Sequence, residues 1–264
     1  MPGRYRMALI TGATSGIGAA FAAALPRETG LLLTGRDAAR LEAEAGRHAG
    51  GGRRVETLEA DLAGEDGRRA LIALAETLPI DLLINNAGFG AFGPCLENDR
   101  GAELGMVAVN VTAVVELTHA LLPAMIERAR SQGGRAGLIV VSSTVAFVPM
   151  PMMATYAATK SFELSFTEAL AEELRDAPVD VLVFCPGATR TGFFQRARMP
   201  DSFLRYAEEP AAVAQKALAA LGRQRVQVSR GSVGLALSTI AVPRRIVAAG
   251  AKRFIQRIAG HGDS

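Results

Sequence analysis

The chain has 264 residues, of which 49% are hydrophobic and 21% charged, enough apolar material for the packed core of one large domain and unlike a disordered protein. Its 29 basic and 26 acidic side chains leave a net charge of +3. With no tryptophan and no basic stripe interleaved with aromatics, nucleic acid is excluded from the expected partners. The two cysteines, Cys95 and Cys185, stand at no metal-binding or redox spacing, so no metal site is expected and reduced thiols fit a cytoplasmic protein. Neither a secretory leader nor an unbroken run of ~18 apolar residues is present, which predicts a soluble chain.

Residues 5–11 form a short apolar run suited to a buried strand, leading into Gly12-Ala13-Thr14-Ser15-Gly16-Ile17-Gly18 and then an alanine-rich helix stopped by Pro26. Strand, glycine turn and helix start together make a phosphate site. Glycines let the backbone approach a pyrophosphate, and free N–H groups at the helix start point at it. Further strands are predicted at 30–34, 55–59, 82–85, 138–142, 179–185 and 226–228. Helices are predicted at 37–49, 65–77, 100–128, 155–174 and 210–221. This alternation predicts an α/β, Rossmann-like, doubly wound parallel sheet of about seven strands with helices on both faces. Residues 1–230 read as one dinucleotide-binding catalytic domain. Within it the aromatic and arginine-bearing stretch 186–209 reads as a lid over the cleft.

Tyr156 and Lys160 are four residues apart in a predicted helix, so both project from one face. Free tyrosine titrates near ~10, and a neighbouring ammonium lowers that value, making the phenol a usable acid or base. Ser143 ends a strand thirteen residues before Tyr156. Ser142 is its rival, and the spacing favours Ser143.

Several motifs in register make the chain resemble the short-chain dehydrogenase/reductase family: Thr11-Gly12-x-x-x-Gly16-x-Gly18, Asn85-Asn86-Ala87-Gly88, the set Asn110, Ser143, Tyr156 and Lys160, and Pro186-Gly187 with Thr191. The matching motifs cover about two thirds of the chain. The resemblance implies NAD(P)-dependent carbonyl and alcohol chemistry, with those four residues as the catalytic tetrad. In it Tyr156 is the general acid for reduction and Lys160 holds the phenol's pKa down and bonds the nicotinamide ribose. Ser143 bonds the substrate oxygen, and Asn110 holds a water linking Lys160 to solvent. It also implies cofactor contacts from Gly12, Thr14, Ser15, Gly16, Ile17, Gly18, Asp61, Leu62, Asn86, Ala87, Gly88, Pro186, Gly187, Thr189 and Thr191. Asp61 has a second reading as a cap for the helix at 65. Thr34-Gly35-Arg36 lacks an acidic residue for a ribose 2′-hydroxyl, and Arg36, assisted by Arg40, suits a 2′-phosphate, so NADP(H) is the expected cofactor. Asp37 reads as a helix N-cap.

Phe89, Phe92, Val145, Ala146, Phe147, Val148, Met150, Met152 and Met153 flank these motifs and predict an apolar ketone or aldehyde substrate, acyl-derived compounds included. Part of this set is expected simply to fill core. Residues 231–264 read as a basic amphipathic extension with a helix begun by Pro243. Packing on its own domain or a partner subunit is the favoured reading, and contact with an anionic membrane surface the other. A homodimer or homotetramer through the two long helices follows from the resemblance. A reading from another class is a non-catalytic NADP-binding sensor or scaffold, against which the complete tetrad argues.

Overall fold

The computed structural model describes residues 5–229 and 244–259. Seven strands form one parallel sheet: β1 (Met7–Thr11), β2 (Gly30–Gly35), β3 (Val55–Glu59), β4 (Leu82–Asn85), β5 (Ala136–Val141), β6 (Val179–Cys185) and β7 (Val226–Val228), ordered β3-β2-β1-β4-β5-β6-β7. The register runs Met7 to Gly30 and Ala8 to Leu82 on the two sides of β1. Because strand side chains alternate, β1 feeds two cores. Met7 and Leu9 join one apolar layer, and Ala8 and Ile10 the other.

Helices cover both layers. On the first face lie α3 (Glu65–Glu76), α5 (Ala113–Gln132) and α6 (Ala154–Glu173), through residues such as Leu71, Leu117, Leu121 and Ala171. On the second lie α1 (Gly16–Ala24), α2 (Ala38–His48) and α8 (Pro210–Ala220), through Phe21, Leu41, Val213 and Ala217. Strands sandwiched this way are apolar on both faces, as β2 and β5 are. The strand order reverses beside β1, so the crevice beyond the carboxyl ends of β1 and β4 is where this architecture binds ligands.

Two expectations change. The helix expected to run unbroken over 100–128 is α4 (Arg100–Val107), a π-helical turn (Ala108–Thr112) and α5. Such a turn inserts an extra residue and is a common mark of a functional site. By length and composition the whole stretch Arg100–Gln132 is apolar enough to cross a membrane. Its apolar side nevertheless packs on the sheet through Leu117, Leu121 and Met125, and Met106 packs against Met153 and Tyr156. The loop 186–209 contains ordered pieces, α7 (Phe193–Arg196) and a 3₁₀ turn (Asp201–Tyr206). In the tail a helix α9 (Arg244–Ala259) lies against that turn, with Ile246 exposed. The expected start at Pro243 and the rest of 230–243 and 260–264 fall outside the described residues.

Candidate active site

The carboxyl ends of the strands open into a cleft of about 1490 Å³, large enough for a dinucleotide and a substrate together. Its floor begins where β1 turns into α1. Gly12 and Gly16 have φ of +65° and +59°, a region that L side chains rarely adopt. A Cβ on Gly18 would lie 2.2 Å from the Gly12 carbonyl oxygen, so only glycine lets the helix start sit on the turn. Ser15 is the N-cap but its side chain makes no capping bond, which leaves the first N–H groups of α1 directed at the cleft. Thr11 and Asn86 fix this loop to the end of β4. The Thr11 hydroxyl accepts from the N–H groups of Asn86 and Ala87, both at 2.9 Å, and the Asn86 amide donates to the Thr11 carbonyl at 2.8 Å. These residues fit a bound pyrophosphate.

At the end of β2, Arg36, Asp37 and Arg40 line the cleft. Asp37 caps α2 by accepting from the Arg40 N–H at 3.0 Å and also pairs with the Arg40 guanidinium at 3.2 Å. Asp61 lines the cleft but does not cap α3, whose N-cap is Gly64. Its carboxylate instead closes a turn by accepting from the Ala63 N–H at 3.0 Å. Gly67 makes that turn tight, since a Cβ there would lie 2.2 Å from the Asp61 carbonyl oxygen.

The side chains of the expected tetrad come from three elements. Tyr156 and Lys160 lie one turn apart on α6, and Ser143 follows β5. Burial pushes the Tyr156 phenol above its ordinary pKa; Lys160 opposes this, Glu163 adds to it, and the Ser143 hydroxyl beside it works to lower it. The expectation that Lys160 holds the phenol down is thus outweighed by burial. Lys160 itself does not reach toward solvent. Its ammonium donates to the Val141 carbonyl and to Glu163 Oε1, both at 3.0 Å, and sits 5.8 Å from the Tyr156 ring centre. Ser142 is a structural residue, donating to the Lys160 carbonyl at 2.8 Å. Both serines line the cleft, and this bond is what distinguishes Ser142 from Ser143.

Asn110 stands on the π turn, fully buried, so it is not on a solvated helix face. Its amide donates to Thr159 Oγ1 at 3.0 Å and to the Phe89 carbonyl at 3.1 Å. It therefore stitches α6 to the loop after β4, and its side chain lies behind the cleft wall. Gly18 likewise lies beneath the surface. Every other residue predicted for the site lines the cleft, including Thr14, Ile17, Leu62, Ala87, Gly88, Pro186, Gly187, Thr189 and Thr191.

Above Tyr156 lies an apolar cluster. Met106 and Met153 pack with it, joined by Phe89, Val145, Met150, Phe193 and Met199. The Phe193 ring is 5.3 Å from that of Tyr156, and Phe203 meets Phe92 edge-on at 6.0 Å. Of the predicted apolar wall, Phe89, Val145, Met150 and Met153 line the cleft. Ala146 and Val148 are core, and Phe147 packs against core. Sequence reasoning missed Arg196, Arg205 and Lys216, which also line the cleft, and Glu163 behind Lys160. Only Glu163 carried a signal, a carboxylate one turn past Lys160 on a helix face otherwise destined for burial.

Residues 6–201 match the family model described as short chain dehydrogenase. The chain belongs to the short-chain dehydrogenase/reductase family. It is 32% identical over 203 residues to an uncharacterized oxidoreductase of Myxococcus xanthus, covering 76% of this chain and 78% of that one. It is 33% identical over 181 residues to a very-long-chain 3-oxoacyl-CoA reductase of Laccaria bicolor, covering 66% of this chain but only 52% of the relative's length. Among solved structures, a short-chain dehydrogenase from Sphingobium yanoikuyae in complex with NADPH superposes with a TM-score of 0.79 at 29% identity, covering 97% and 95% of the two chains. A member from Burkholderia phymatum, in complex with NAD, superposes at 0.75 with 25% identity, covering 91% and 93%. The chain is thus an oxidoreductase of this family, built for a nicotinamide dinucleotide.

Proposed function

We propose that this protein reduces the carbonyl of an apolar ketone or aldehyde, acyl-derived substrates among them, with NADPH as the preferred cofactor. The observation that carries this reading is the position of Tyr156. Its phenol stands at the meeting point of the cleft, the Ser143 hydroxyl and an aromatic and methionine-rich wall. Such a wall offers an adaptable, polarisable surface to an alkyl or aryl chain and little to a sugar. The 3-oxoacyl-CoA activity named for the Laccaria relative is compatible with that surface.

Each residue's part follows from where it stands. The Ser143 and Tyr156 hydroxyls hold the carbonyl oxygen between them, and Tyr156 gives its proton to that oxygen. A bound nicotinamide would supply the hydride, so that one hydride and one proton convert C=O to CH–OH. Phe193 and Met199 cover the reacting centre and exclude water. Gly12 to Gly18 and Asn86 to Gly88 would cradle the dinucleotide, and Thr189 and Thr191 close it in.

Preference for NADPH is supported by Arg36, Arg40 and Arg196. They line the same rim, and Arg40 and Arg36 oppose the charge on Arg196 after burial has already disfavoured it. A 2′-phosphate relieves that repulsion. The test is turnover of NADPH and NADH with a panel of apolar ketones, aldehydes and 3-oxoacyl thioesters. Arg36→Ala should weaken NADPH ~10-fold or more, as loss of a charged hydrogen bond implies, and leave NADH nearly unchanged. Equal losses for both cofactors, or no turnover of any apolar carbonyl, would contradict the reading.

A further inference from the structure

Glu163 is a buried carboxylate one turn past Lys160 on α6, 1% exposed, and none of the steps above uses it. Its Oε1 receives the Lys160 ammonium at 3.0 Å, while its Oε2 is buried without a hydrogen-bond partner. The groups facing it are few. On its own helix they are Lys160 and Tyr156. From the end of β5 comes the Ser142 hydroxyl, which spends its proton on the Lys160 carbonyl, and from β6 the Cys185 thiol. Burial pushes Cys185 up to about 12, so it stays a neutral thiol. Glu168 bears on Cys185 from one turn further along α6. Asn110, behind the cleft wall, is neutral and fully engaged. The centre therefore holds one cation, one carboxylate and one phenol, all three buried at the wall of the cleft.

We propose that Glu163 is a charge-setting and positioning residue of the reaction: it draws the Lys160 ammonium back against the Val141 carbonyl and cancels its charge, so that Tyr156 keeps its proton and the site is held in the form that donates. A buried ammonium left uncompensated would stabilise a phenolate one turn away. With the carboxylate beside it, the cation has already spent its field, and a phenolate would be a second negative charge in a low-dielectric pocket. The directions agree. Burial and then Glu163 raise Tyr156 against the pull of Lys160 and Ser143. Burial would lower Lys160, but Glu163 and Tyr156 hold it above its ordinary value. Glu163, pushed up by burial to about 7 against the attraction of Lys160, is the group whose charge changes near neutrality. The equilibrium between carbonyl and alcohol is untouched, as for any catalyst. What changes is the pH range over which the free enzyme carries a protonated Tyr156. Reduction needs that proton and stays flat through neutral pH; oxidation needs the phenolate and rises only at alkaline pH.

The inference rests on Tyr156 being the proton donor, and two measurements separate its failure from failure of that reading. The first is kcat/KM for alcohol oxidation against pH in the wild type, Glu163→Gln, Glu163→Leu and Glu163→Asp. Removing the carboxylate should move the rising limb to lower pH by at least half a unit, about threefold in rate at a fixed pH below it. Glu163→Asp, which keeps the charge, should leave the limb near its wild-type position. A limb unmoved in both charge-free variants, or moved equally in Glu163→Asp, overturns the proposal. The second needs no substrate or cofactor. The chain has three tyrosines and no tryptophan, so the phenolate absorbance of the wild type minus that of Tyr156→Phe isolates Tyr156. It should titrate above free tyrosine in the wild type and lower in Glu163→Gln. Titration below free tyrosine in the wild type overturns the proposal whether or not any alcohol is turned over.

Discussion

Gly90 shows how little room the Tyr156 phenol has. A Cβ at this position would lie 2.8 Å from the Phe193 ring and 3.1 Å from the Tyr156 ring, although the backbone there needs no unusual angle. Gly90→Ala should leave the fold intact, because the intrusion faces the cleft and Phe193 can swing aside. It should nevertheless displace Tyr156 by a few tenths of an ångström. A misplacement of about 1 Å can cost ~10²-fold in rate, so a shift of this size is expected to lower kcat several-fold with the melting temperature nearly unchanged. Wild-type kcat in Gly90→Ala would mean that Tyr156 has slack the structure does not show. Gly88 is a related case, since a Cβ there would approach both Asn110 Oδ1 at 3.1 Å and Lys160 Nζ at 3.2 Å. The glycines near the site thus serve two purposes, backbone conformation at Gly12 and Gly16, and side-chain clearance at Gly88 and Gly90.

Among the elements, those with a strong local signal were legible in the sequence. The strands Val55–Glu59, Leu82–Asn85, Val179–Cys185 and Val226–Val228 occupy the expected residues, because short apolar runs in the middle of the sheet and short alternating runs at its edges, each bounded by turns, leave little choice. The glycine loop was legible too, although α1 begins at Gly16, inside the loop, and not after it. The π turn around Asn110 was not, since Ala-Val-Asn-Val-Thr carries no proline or glycine to mark a change of helical pitch. The Lys160–Glu163 pair was legible as a spacing, three residues apart on one helix, but not its burial, which comes from packing against β5 and β6. The stretch 186–209 was legible as aromatic, but its ordered pieces depend on packing, as of Phe193 against Tyr156. Asp37 tests the element scale directly. It caps α2 and holds Arg40. Asp37→Ala should cost ~1 kcal/mol of stability through the lost cap, lowering the melting temperature by about 2–4 °C in a domain of this size. By freeing Arg40 it should tighten NADPH binding. Weaker NADPH binding in this variant would show that Asp37, and not Arg40, faces the ribose.

At the scale of the whole molecule, the two long helical elements leave apolar side chains on the outside. Leu104 and Val107 on α4 and Phe162 on α6 are exposed, with Phe162 stacked on Phe166 at 5.7 Å. Between them lies a shallow apolar hollow formed by Val107, Val111, Ala154 and Ala158. A second copy of the chain laid against this face would cover a continuous strip, and we propose that it does so in a homodimer or homotetramer. Phe162→Glu puts a charge into that strip and should yield monomers by sedimentation velocity while the cofactor cleft, on the opposite side of α6, stays formed. An unchanged sedimentation coefficient in Phe162→Glu would place any self-association elsewhere. The α9 helix poses the other question of partners. Flotation with anionic liposomes, with and without residues beyond Gly231, decides between packing on protein and contact with a membrane surface.

All of these scales converge on one hydroxyl delivering one proton. The direct measurement is NADPH oxidation with the best carbonyl of an apolar panel, alongside NADPH affinity, for the wild type and Tyr156→Phe. Loss of the general acid should lower kcat by ~10²–10⁴-fold, while the dissociation constant for NADPH stays within about twofold because the glycine loop and Arg36 are untouched. Turnover retained in Tyr156→Phe would contradict the account, and so would a wild type that binds NADPH and turns over no carbonyl.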